Sequence, residues 1–426
     1  MICCFSLIKC GVVVAFNGGV VFIQAFKLAS VSEVFILQQL GLVLLVTNSF
    51  GIIINLQRDE NLKIIVSGLL VNPAIRISIG SLIKGIIKMT CVTLKDHVIG
   101  SILDALGGYS FVNKRIKSQL VWLVESIAPS IISRESVYEP LQTGLISIDA
   151  LIPIGRGQRE LVVGDRGIGK TSIGLDTVIN QRYEKVLCLY LPIGQKASSI
   201  LEILLTLVRR DAIFYIAILY AAATTSALSQ FISAYTGTAS FEFFMYLREL
   251  PVFIMLNDLS KHGIAYREIY LLLNCPPGRE GYPGEIFFVH SRLLERSAKL
   301  IRILGGGSVS AFPTIETLAS DVSAYITTNV ISITDGQIFL SQDLFLSKIK
   351  PAVDQGLSVS RVGSVAQCSE FKLVGSNYKL ELAQYAELQS FAGFSSDLGS
   401  DTLKRLERGL RLIELIKQDS GNPLSI

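Results

Sequence analysis

The chain has 426 residues, of which 50% are hydrophobic and 17% are charged, and its formal net charge is +4 at pH 7. This length suits two or three domains with large buried cores. No basic run accompanies the mild positive charge, so nucleic-acid binding is not indicated. The seven cysteines lack C-x-x-C spacing and His97, His262 and His290 form no cluster in the sequence, which indicates neither a disulfide framework nor a zinc site.

The mean hydropathy of +0.50 raises the question of a membrane span. Residues 34–57 and 212–241 are uncharged and longer than the ~20 apolar residues that cross a bilayer. Glycines and amides break the first stretch into short β-branched runs, which favours buried strands over a spanning helix. The second contains "TTSALSQ" and "SAYTGTAS" and is too polar to span. The N-terminus shows neither a signal-peptide cleavage site nor an Arg-rich presequence, so we expect neither.

The predicted elements begin with a β zone. Residues 11–90 contain short apolar runs separated by Gly, Asn, Ser and Asp, a pattern typical of a small β-barrel or sandwich. From residue 93 to 367, apolar strands alternate with helical stretches, which predicts an α/β fold with an open parallel sheet. The clearest predicted strands are "KVLCLYLPIG", "PVFIMLNDLS" and "VISITDGQIFL".

After Cys368 the pattern becomes helical. Ser400 and Asp401 are residue types that start helices, and an apolar stripe at three- and four-residue steps follows them. The stripe consists of Leu403, Leu406, Leu410, Ile413 and Ile416. The sequence therefore predicts three domains, with boundaries at 1–92, 93–367 and 368–426.

Residues 164–171 fit the phosphate-binding pattern G-x-x-x-x-G-K-[ST]. "RELVVG" predicts a strand before this loop and "KTSIGLDTVINQ" a helix after it, so backbone N–H groups and the helix N-terminus would face the phosphates. In this pattern Lys170 would reach the outer phosphates and the Thr171 hydroxyl would ligate Mg²⁺. A Gly-rich turn without a ligand is the alternative, and the flanking strand and helix disfavour it. The loop residues are Gly164, Asp165, Arg166, Gly167, Ile168, Gly169, Lys170 and Thr171.

Two neighbouring strand ends bear on whether a bound nucleotide reacts. "VFIMLND" ends in Asn257 and Asp258, the natural candidates for holding hydrated Mg²⁺. Hydrolysis also needs a carboxylate that orients water, whereas "CLYLPIGQK" offers Gln195. An amide cannot take a proton from water at neutral pH, so the residues favour binding of ATP or ADP over turnover.

Several stretches resemble the alpha subunit of the F-type rotary ATP synthase: "RELVVGDRGIGKTSIGLDTVINQ", "PIGQKASS", "PPGREGYPGEIFFVHSRLLERSAKL", "GGGSVSAFPTIETLASDVSAYITTNVISITDGQIFL" and "GLSVSRVGS". The resemblance implies an N-terminal small β-barrel crown, a RecA-like P-loop nucleotide-binding domain and a shortened C-terminal helical domain. It also implies a non-catalytic subunit that alternates with beta subunits in a six-membered ring. A gamma-type central shaft, a delta-type stator subunit and a membrane proton channel would complete the complex.

The resemblance implies roles for residues outside the loop. Lys350 and Pro351 fall where the family has an Arg-Pro pair beside the adenine, so lysine replaces arginine there. Gln418 falls on one of two adenine-contacting glutamines. Arg361 falls on the arginine that reaches into the neighbouring beta subunit's catalytic site. Beta chains of the family carry a glutamate where this chain has Gln195, so the resemblance and the chemistry agree.

The sequence departs from the family pattern at several positions. Asn257 stands where the family has the first acid of an Asp-Asp pair, which removes a charge beside the Mg²⁺ position. Gly167 and Ile168 replace a Gln-Thr pair, and Ser420 replaces the second glutamine at the adenine. With Lys350, these changes predict a weaker or less selective site. The sequence is also expected to lack the N-terminal arm and the last helices of its relatives.

"GQKASS", "FFMYLRE" and "YEPLQTGL" resemble plastid members of the family, so we expect a peripheral protein on the stromal side of the thylakoid membrane; the mitochondrial inner membrane is the alternative. Two other functions stay open. A self-standing RecA-like ATPase motor is opposed by Gln195. A decayed structural ring subunit is favoured by Asn257 and opposed by the intact Lys170, Thr171 and Arg361.

Overall fold

A computed structural model of the protein describes residues 9–17, 20–25, 42–46, 49–58, 64–70, 79, 82–89, 91–94, 98–108, 120–392 and 400–424. His97 and residues 34–41 and 47–48, which entered the predictions above, lie outside the described residues. The thiols of Cys188, Cys275 and Cys368 are free.

Six antiparallel strands form a closed barrel in the order β1-β2-β5-β4-β3-β6. Their bounds are β1 Lys9–Asn17, β2 Val20–Ala25, β3 Leu42–Val46, β4 Ser49–Arg58, β5 Ile64–Leu70 and β6 Leu82–Met89. Short runs rich in β-branched residues favour strands, and Val13, Val20 and Ile23 are buried. Of the two predicted β architectures, the barrel is the one present. The described part of the uncharged stretch 34–57 is strand, as predicted.

The centre of the molecule is a nine-stranded sheet in the order β17-β16-β10-β15-β14-β11-β12-β8, with β13 pairing with β11 off this path. Its members pair in parallel except β17, which runs antiparallel to β16. The strands, together with the separate pair β7 and β9, are β7 Cys91–Leu94, β8 Ile102–Leu103, β9 Leu120–Leu123, β10 Glu160–Gly164, β11 Leu187–Gln195, β12 Ile216–Leu219, β13 Ala221–Ala222, β14 Pro251–Asn257, β15 Ser308–Glu316, β16 Gly336–Leu340 and β17 Val353–Ser360. The predicted parallel α/β sheet is confirmed, with one antiparallel edge strand.

Helices cover both faces of this sheet, so its strands are buried on two sides. Leu161 and Val163 of β10 enter one apolar core, and Val162 between them enters the other. The helices are α1 Ile146–Asp149, α2 Lys170–Asn180, α3 Ala197–Arg209, α4 Ala227–Leu247, α5 Leu259–Leu272, α6 Ile286–Leu294, α7 Tyr325–Ile333, α8 Gln342–Leu346, α9 Gly363–Ala366, α10 Ser369–Ala392 and α11 Ser400–Ile416. Single 3₁₀ turns lie at Ile131–Ser133, Ala212–Phe214, Arg279–Gly281 and Arg302–Leu304. Throughout the residues that the structure describes, no helix is both long and apolar enough to cross a bilayer.

One predicted strand is only half correct. Within "VISITDGQIFL", the part "VISI" belongs to helix α7, and only "GQIFL" forms strand β16. Ile326, Val330 and Ile333 of α7 lie three to four residues apart and are buried together. Packing of this helical face outweighs the weak preference of β-branched residues for strands.

The C-terminal pair of helices confirms the predicted helical zone but corrects its apolar stripe. Helix α11 begins at Ser400, yet Leu403 and Leu410 are 50% and 54% exposed. Ile416 of the stripe is buried, Ile413 packs against the apolar core and Leu406 is half-buried. Gly409 lies over the ring of Tyr385. The small glycine allows close approach of α10, and of the predicted stripe only Leu403 and Leu410 are exposed.

The histidines also differ from the expectation that they are scattered singly. His262 and His290 are fully buried and contact each other, with Nδ1 of the first 3.3 Å from Nε2 of the second. Within the described ranges, no group of three His, Cys, Asp or Glu side chains is arranged to hold a metal ion.

Candidate nucleotide-binding site

The phosphate loop connects the end of β10 to the start of α2, in the middle of the parallel sheet. Gly167 and Gly169 have φ angles of 83° and 104°, a left-handed backbone that glycine adopts at no steric cost. A Cβ at either position would meet nothing within 4 Å, so the loop leaves open space over these two glycines. The first N–H groups of α2 have no partner within the helix and can bind an anion.

Lys170 lies at the centre of this loop. Its Nζ donates to the carbonyl oxygens of Gly164 and Asp165 at 2.6 and 2.5 Å, and the residue is 9% exposed. Burial lowers the pKa of Lys170, while the charges of Glu316, Asp258 and Asp165 oppose that shift. A buried cation at the start of a helix is suited to hold a phosphate group.

The neighbouring Asp165 and Arg166 side chains have different surroundings. Asp165 accepts hydrogen bonds from the Thr317 hydroxyl at 2.6 Å and from the Ser320 N–H at 2.9 Å, which ties the loop to the segment after β15. The Arg166 side chain is 87% exposed and lies 3.8 Å from the Glu316 carboxylate. The loop is therefore held in place from the neighbouring strand, and the buried Ile168 adds an apolar anchor.

A series of hydrogen bonds links the predicted magnesium ligand to the predicted water position. The Asn257 Nδ2 donates to Thr171 Oγ1 at 3.1 Å and to the Tyr190 hydroxyl at 3.0 Å, while its Oδ1 accepts from the Thr314 hydroxyl at 3.1 Å. Gln195 Nε2 donates to the Asn257 carbonyl at 3.3 Å. The structure thus brings Thr171, at the start of helix α2, together with Gln195 and Asn257, at the ends of β11 and β14.

These side chains do not fit a magnesium ion well. Metal sites of this kind need acidic oxygens, and the acids near Lys170 have other partners. Asp258 caps helix α5, accepting from the N–H groups of Ser260 and Lys261, and Glu316 lies against Arg166. In the part of the chain that the structure describes, the only hydrogen-bond partner of the Thr171 hydroxyl is the neutral Asn257 amide. The donor set around Thr171 lacks the charge that a divalent cation requires.

A cleft of about 240 Å³ extends from the loop toward the C-terminal segment. Gly167 and Gly169 line one end, and Lys350, Pro351 and Gln418 line the other, so the residues predicted to bind phosphate and adenine share one cavity. Both ends of the Gln418 amide are engaged by the backbone. Its Oε1 accepts from Ile146 N at 2.7 Å and its Nε2 donates to Gly144 O at 3.0 Å. Gln418 therefore fixes the wall of the cleft.

Six further residues line the cleft and were not predicted: Leu145, Ser172, Ile173, Asp176, Phe345 and Ala352. Phe345 lies 5.1 Å below the Lys350 ammonium, a favourable cation–π arrangement. Burial raises the pKa of Asp176 to about 6, although it accepts a hydrogen bond from Gly421 N at 2.7 Å. The sequence signal that could have pointed to Phe345 was its position, five residues before the Lys350-Pro351 pair.

Arg361 lies at the end of the sheet where the parallel strands begin, whereas the loop lies at the end where they finish. It directly follows β17, whose last residue Ser360 pairs with Gly336, and Gly336 pairs with Glu160 at the start of β10. The loop begins at the far end of β10, four residues on, or about 13 Å at ~3.3 Å per residue. Arg361 is exposed, and the geometry does not bring it to the loop of its own subunit.

Comparison with known protein families identifies the fold unit that carries this site. Residues 144–360 match the nucleotide-binding domain of the ATP synthase alpha/beta family, just over half of the protein, and residues 367–426 match the C-terminal domain of ATP synthase alpha/beta subunits. The chain belongs to the ATP synthase alpha/beta family. The loop, both strand ends and most of the cleft lie within the first match, and Gln418 lies within the second. This ATP synthase family member therefore builds its nucleotide cleft from both matched domains.

Proposed function

We propose that the protein is an alpha-type subunit of the F-type ATP synthase that binds ATP or ADP without hydrolysing it. Gln195 carries this proposal. It stands at the end of β11, beside the Asn257 backbone carbonyl and close to the phosphate loop. A carboxylate at this position could accept a proton from water, and a neutral amide cannot.

Arg361 gives the proposed subunit its part in catalysis. Its exposure, and its distance from the loop of its own chain, support a role on another subunit. A guanidinium can bridge two oxygens of a transferring phosphoryl group with a planar pair of N–H donors. We therefore propose that Arg361 enters the catalytic site of a neighbouring beta subunit and supports the synthesis of ATP from ADP and phosphate.

The proposed assembly is a six-membered ring of alternating alpha and beta subunits around a gamma-type shaft. A delta-type stator subunit and a membrane proton channel complete it. We propose a barrel domain up to residue 92, a nucleotide domain from 93 to 367 and a helical domain from 368. Strand β7, Cys91–Leu94, runs across the first of these proposed boundaries. We further propose attachment to the stromal side of the thylakoid membrane, with the mitochondrial inner membrane as the alternative.

Steady-state ATP hydrolysis tests the proposal in three samples: the protein alone, the protein with a beta subunit, and Arg361→Ala with the same beta subunit. The proposal expects turnover only in the second sample. Robust hydrolysis by the protein alone would instead identify a self-standing ATPase motor. Equal turnover in the second and third samples would indicate a structural ring member without a catalytic arginine.

A further inference from the structure

We infer that the phosphate loop binds nucleotide almost equally well with and without a divalent cation. The inference rests on the proposed function only in that the loop holds a nucleotide. Its basis is the contact between Asn257 and Thr171, where Nδ2 of the amide donates to the hydroxyl oxygen at 3.1 Å. That oxygen is the one the loop pattern would offer to the metal.

Both ends of the Asn257 side chain are already hydrogen-bonded within the protein. Its Nδ2 is shared between Thr171 and the Tyr190 hydroxyl, and its Oδ1 accepts from Thr314. Asn257 is 4% exposed, so these contacts are made away from bulk water. Because the amide is neutral in either orientation of its two ends, turning it over would not supply the missing charge.

The metal-independent part of the site is intact. Lys170 provides a buried positive charge, and the N-terminus of the eleven-residue helix α2 provides backbone N–H donors. Both act directly on phosphate oxygens and need no cation. By contrast, losing an acidic partner in the surroundings of a metal costs about 10- to 100-fold in metal affinity. The balance therefore shifts toward binding that does not depend on the metal.

Asn257→Asp should reverse this preference without disturbing the fold. The two side chains have the same shape, and the hydroxyls of Thr171, Tyr190 and Thr314 surround position 257. Each hydroxyl can rotate to donate to a carboxylate. The variant thus places one negative charge beside the Thr171 hydroxyl and leaves its neighbours in place.

Calorimetric titration of the full-length protein with ATP, in excess MgCl₂ and in excess EDTA, tests the inference. We expect the two dissociation constants of the wild-type protein to agree within about threefold, and that of Asn257→Asp to be about tenfold or more tighter in MgCl₂ than in EDTA. Asn274→Asp is the matched control, since Asn274 is an exposed turn residue and the charge change is the same. It should behave as wild type.

The outcomes separate the inference from the proposed function. Wild-type binding that weakens tenfold or more in EDTA overturns the inference and leaves the nucleotide site standing, and this comparison decides even if Asn257→Asp fails to fold. Equal behaviour of Asn257→Asp and Asn274→Asp also overturns it. Lys170→Ala should lose binding in both buffers; if it binds like wild type, or if the wild-type protein binds no ATP, the proposed nucleotide site itself is wrong.

Discussion

Gln195 lies at the position proposed for a side chain that would meet water beside a bound nucleotide. Its Oε1 lies 3.4 Å from the Tyr190 hydroxyl, and Tyr190 is fully buried. Burial raises the pKa of that phenol well above its usual range, so it cannot act as a base in place of the missing carboxylate. Neither side chain at this corner of the site accepts a proton at neutral pH.

Gln195→Glu is expected to give the isolated protein at most slow ATP turnover. The new carboxylate supplies a base, but Arg361 lies at the other edge of the sheet, and an arginine of that kind contributes about 10³- to 10⁵-fold to phosphoryl transfer. Phosphate release from ATP by the purified variant measures this. Gln337→Glu, on strand β16, is the control for an added charge. Fast hydrolysis by the variant would mean that the protein forms a whole catalytic site by itself.

At the level of residues, the sequence predicts the loop well because its chemistry is local. The spacing of Gly164, Gly169 and Lys170 fixes strand, turn and helix within a dozen residues. The bonding of Asn257 was not predictable, since its partners Thr171 and Thr314 come from a different helix and strand. A residue type shows what a side chain can donate, whereas the fold decides which partner receives it.

Between elements, one buried ion pair connects helix α4 to the segment after α6. Arg296 donates to the Glu242 carboxylate through Nε at 2.5 Å and Nη2 at 2.7 Å, and through Nη1 to the Val124 carbonyl at 2.8 Å. Trp122 Nε1 and the Ser126 hydroxyl donate to the same carboxylate. Because both charged side chains are almost completely buried, each depends on the other for its solvation.

Glu242→Gln is expected to lower the free energy of unfolding by about 3–5 kcal/mol, since it leaves the Arg296 charge buried without a counter-ion. Replacing both residues, as Glu242→Leu with Arg296→Met, should cost clearly less because no buried charge remains. Denaturant unfolding of the three proteins measures the difference. The control Glu407→Gln removes one side of an exposed pair and should change stability little. A double variant no more stable than Glu242→Gln would show that the unpaired charge is not the cause of the loss.

The paired histidines make helix α5 and helix α6 sensitive to acid. His262 Nε2 lies 3.1 Å from the Phe231 carbonyl and must donate to it, which leaves Nδ1 to accept from His290 Nε2. His290 Nδ1 is then a buried acceptor without a partner among the described residues. Burial lowers the pKa of both imidazoles below the ordinary value of 6.5, and the repulsion of His262 adds to the effect at His290.

The pKa of both imidazoles is lower in the folded protein than in the unfolded protein. The unfolded protein therefore takes up protons first as the pH falls below 6.5. Stability due to the pair is complete above pH 6.5 and declines below it. His290→Leu should reduce the slope of unfolding free energy against pH by up to about 1.4 kcal/mol per pH unit, the value for one proton. Burial raises the pKa of Asp149 and of Asp176 to about 6, so these two groups change the unfolding free energy with pH in the opposite direction. Both are present in the variant and in the wild type, so their contribution cancels when the two curves are compared. Parallel curves for variant and wild type would show that His290 does not take part.

The elements themselves were predictable where one periodicity dominates. Strands β11 and β14 are continuous apolar runs buried on both faces, and they appear where expected. Helix α7 was misread because its β-branched residues suggest a strand while their spacing suits a helix. The exposed Leu403 shows a second limit, since which face of α11 packs depends on the close approach at Gly409. Periodicity gives the type of an element, and contacts with distant residues give its orientation.

Over the whole molecule, the sheet separates the nucleotide cleft from the turn that carries Arg361. The nucleotide cleft lies beyond the carboxyl ends of the parallel strands, where open α/β sheets bind their ligands. The turn with Arg361 lies at the amino ends and is held by a partly buried polar cluster. The Ser360 hydroxyl donates to the Pro153 carbonyl at 2.7 Å and accepts from Gln158 Nε2 at 2.9 Å, and Arg361 N donates to the Asp335 carbonyl at 3.0 Å. A turn held in this way, at the end of the sheet opposite the cleft, suits a residue that acts on a neighbouring subunit.

In an assembled ring with beta subunits, Arg361→Ala is therefore expected to lower steady-state turnover by about 10³-fold or more. Arg361→Lys should fail nearly as badly, because an ammonium is a point charge and cannot present two coplanar N–H donors to a phosphoryl group. ATP affinity of the isolated variants should equal that of wild type, since their own loop is untouched. Arg405→Ala, which removes an exposed arginine of helix α11, controls for loss of surface charge. If the ring with Arg361→Ala turns over within a few-fold of wild type, Arg361 does not act in the neighbouring site. If the ring is active with Arg361→Lys but not with Arg361→Ala, a positive charge suffices and the bridging geometry is wrong.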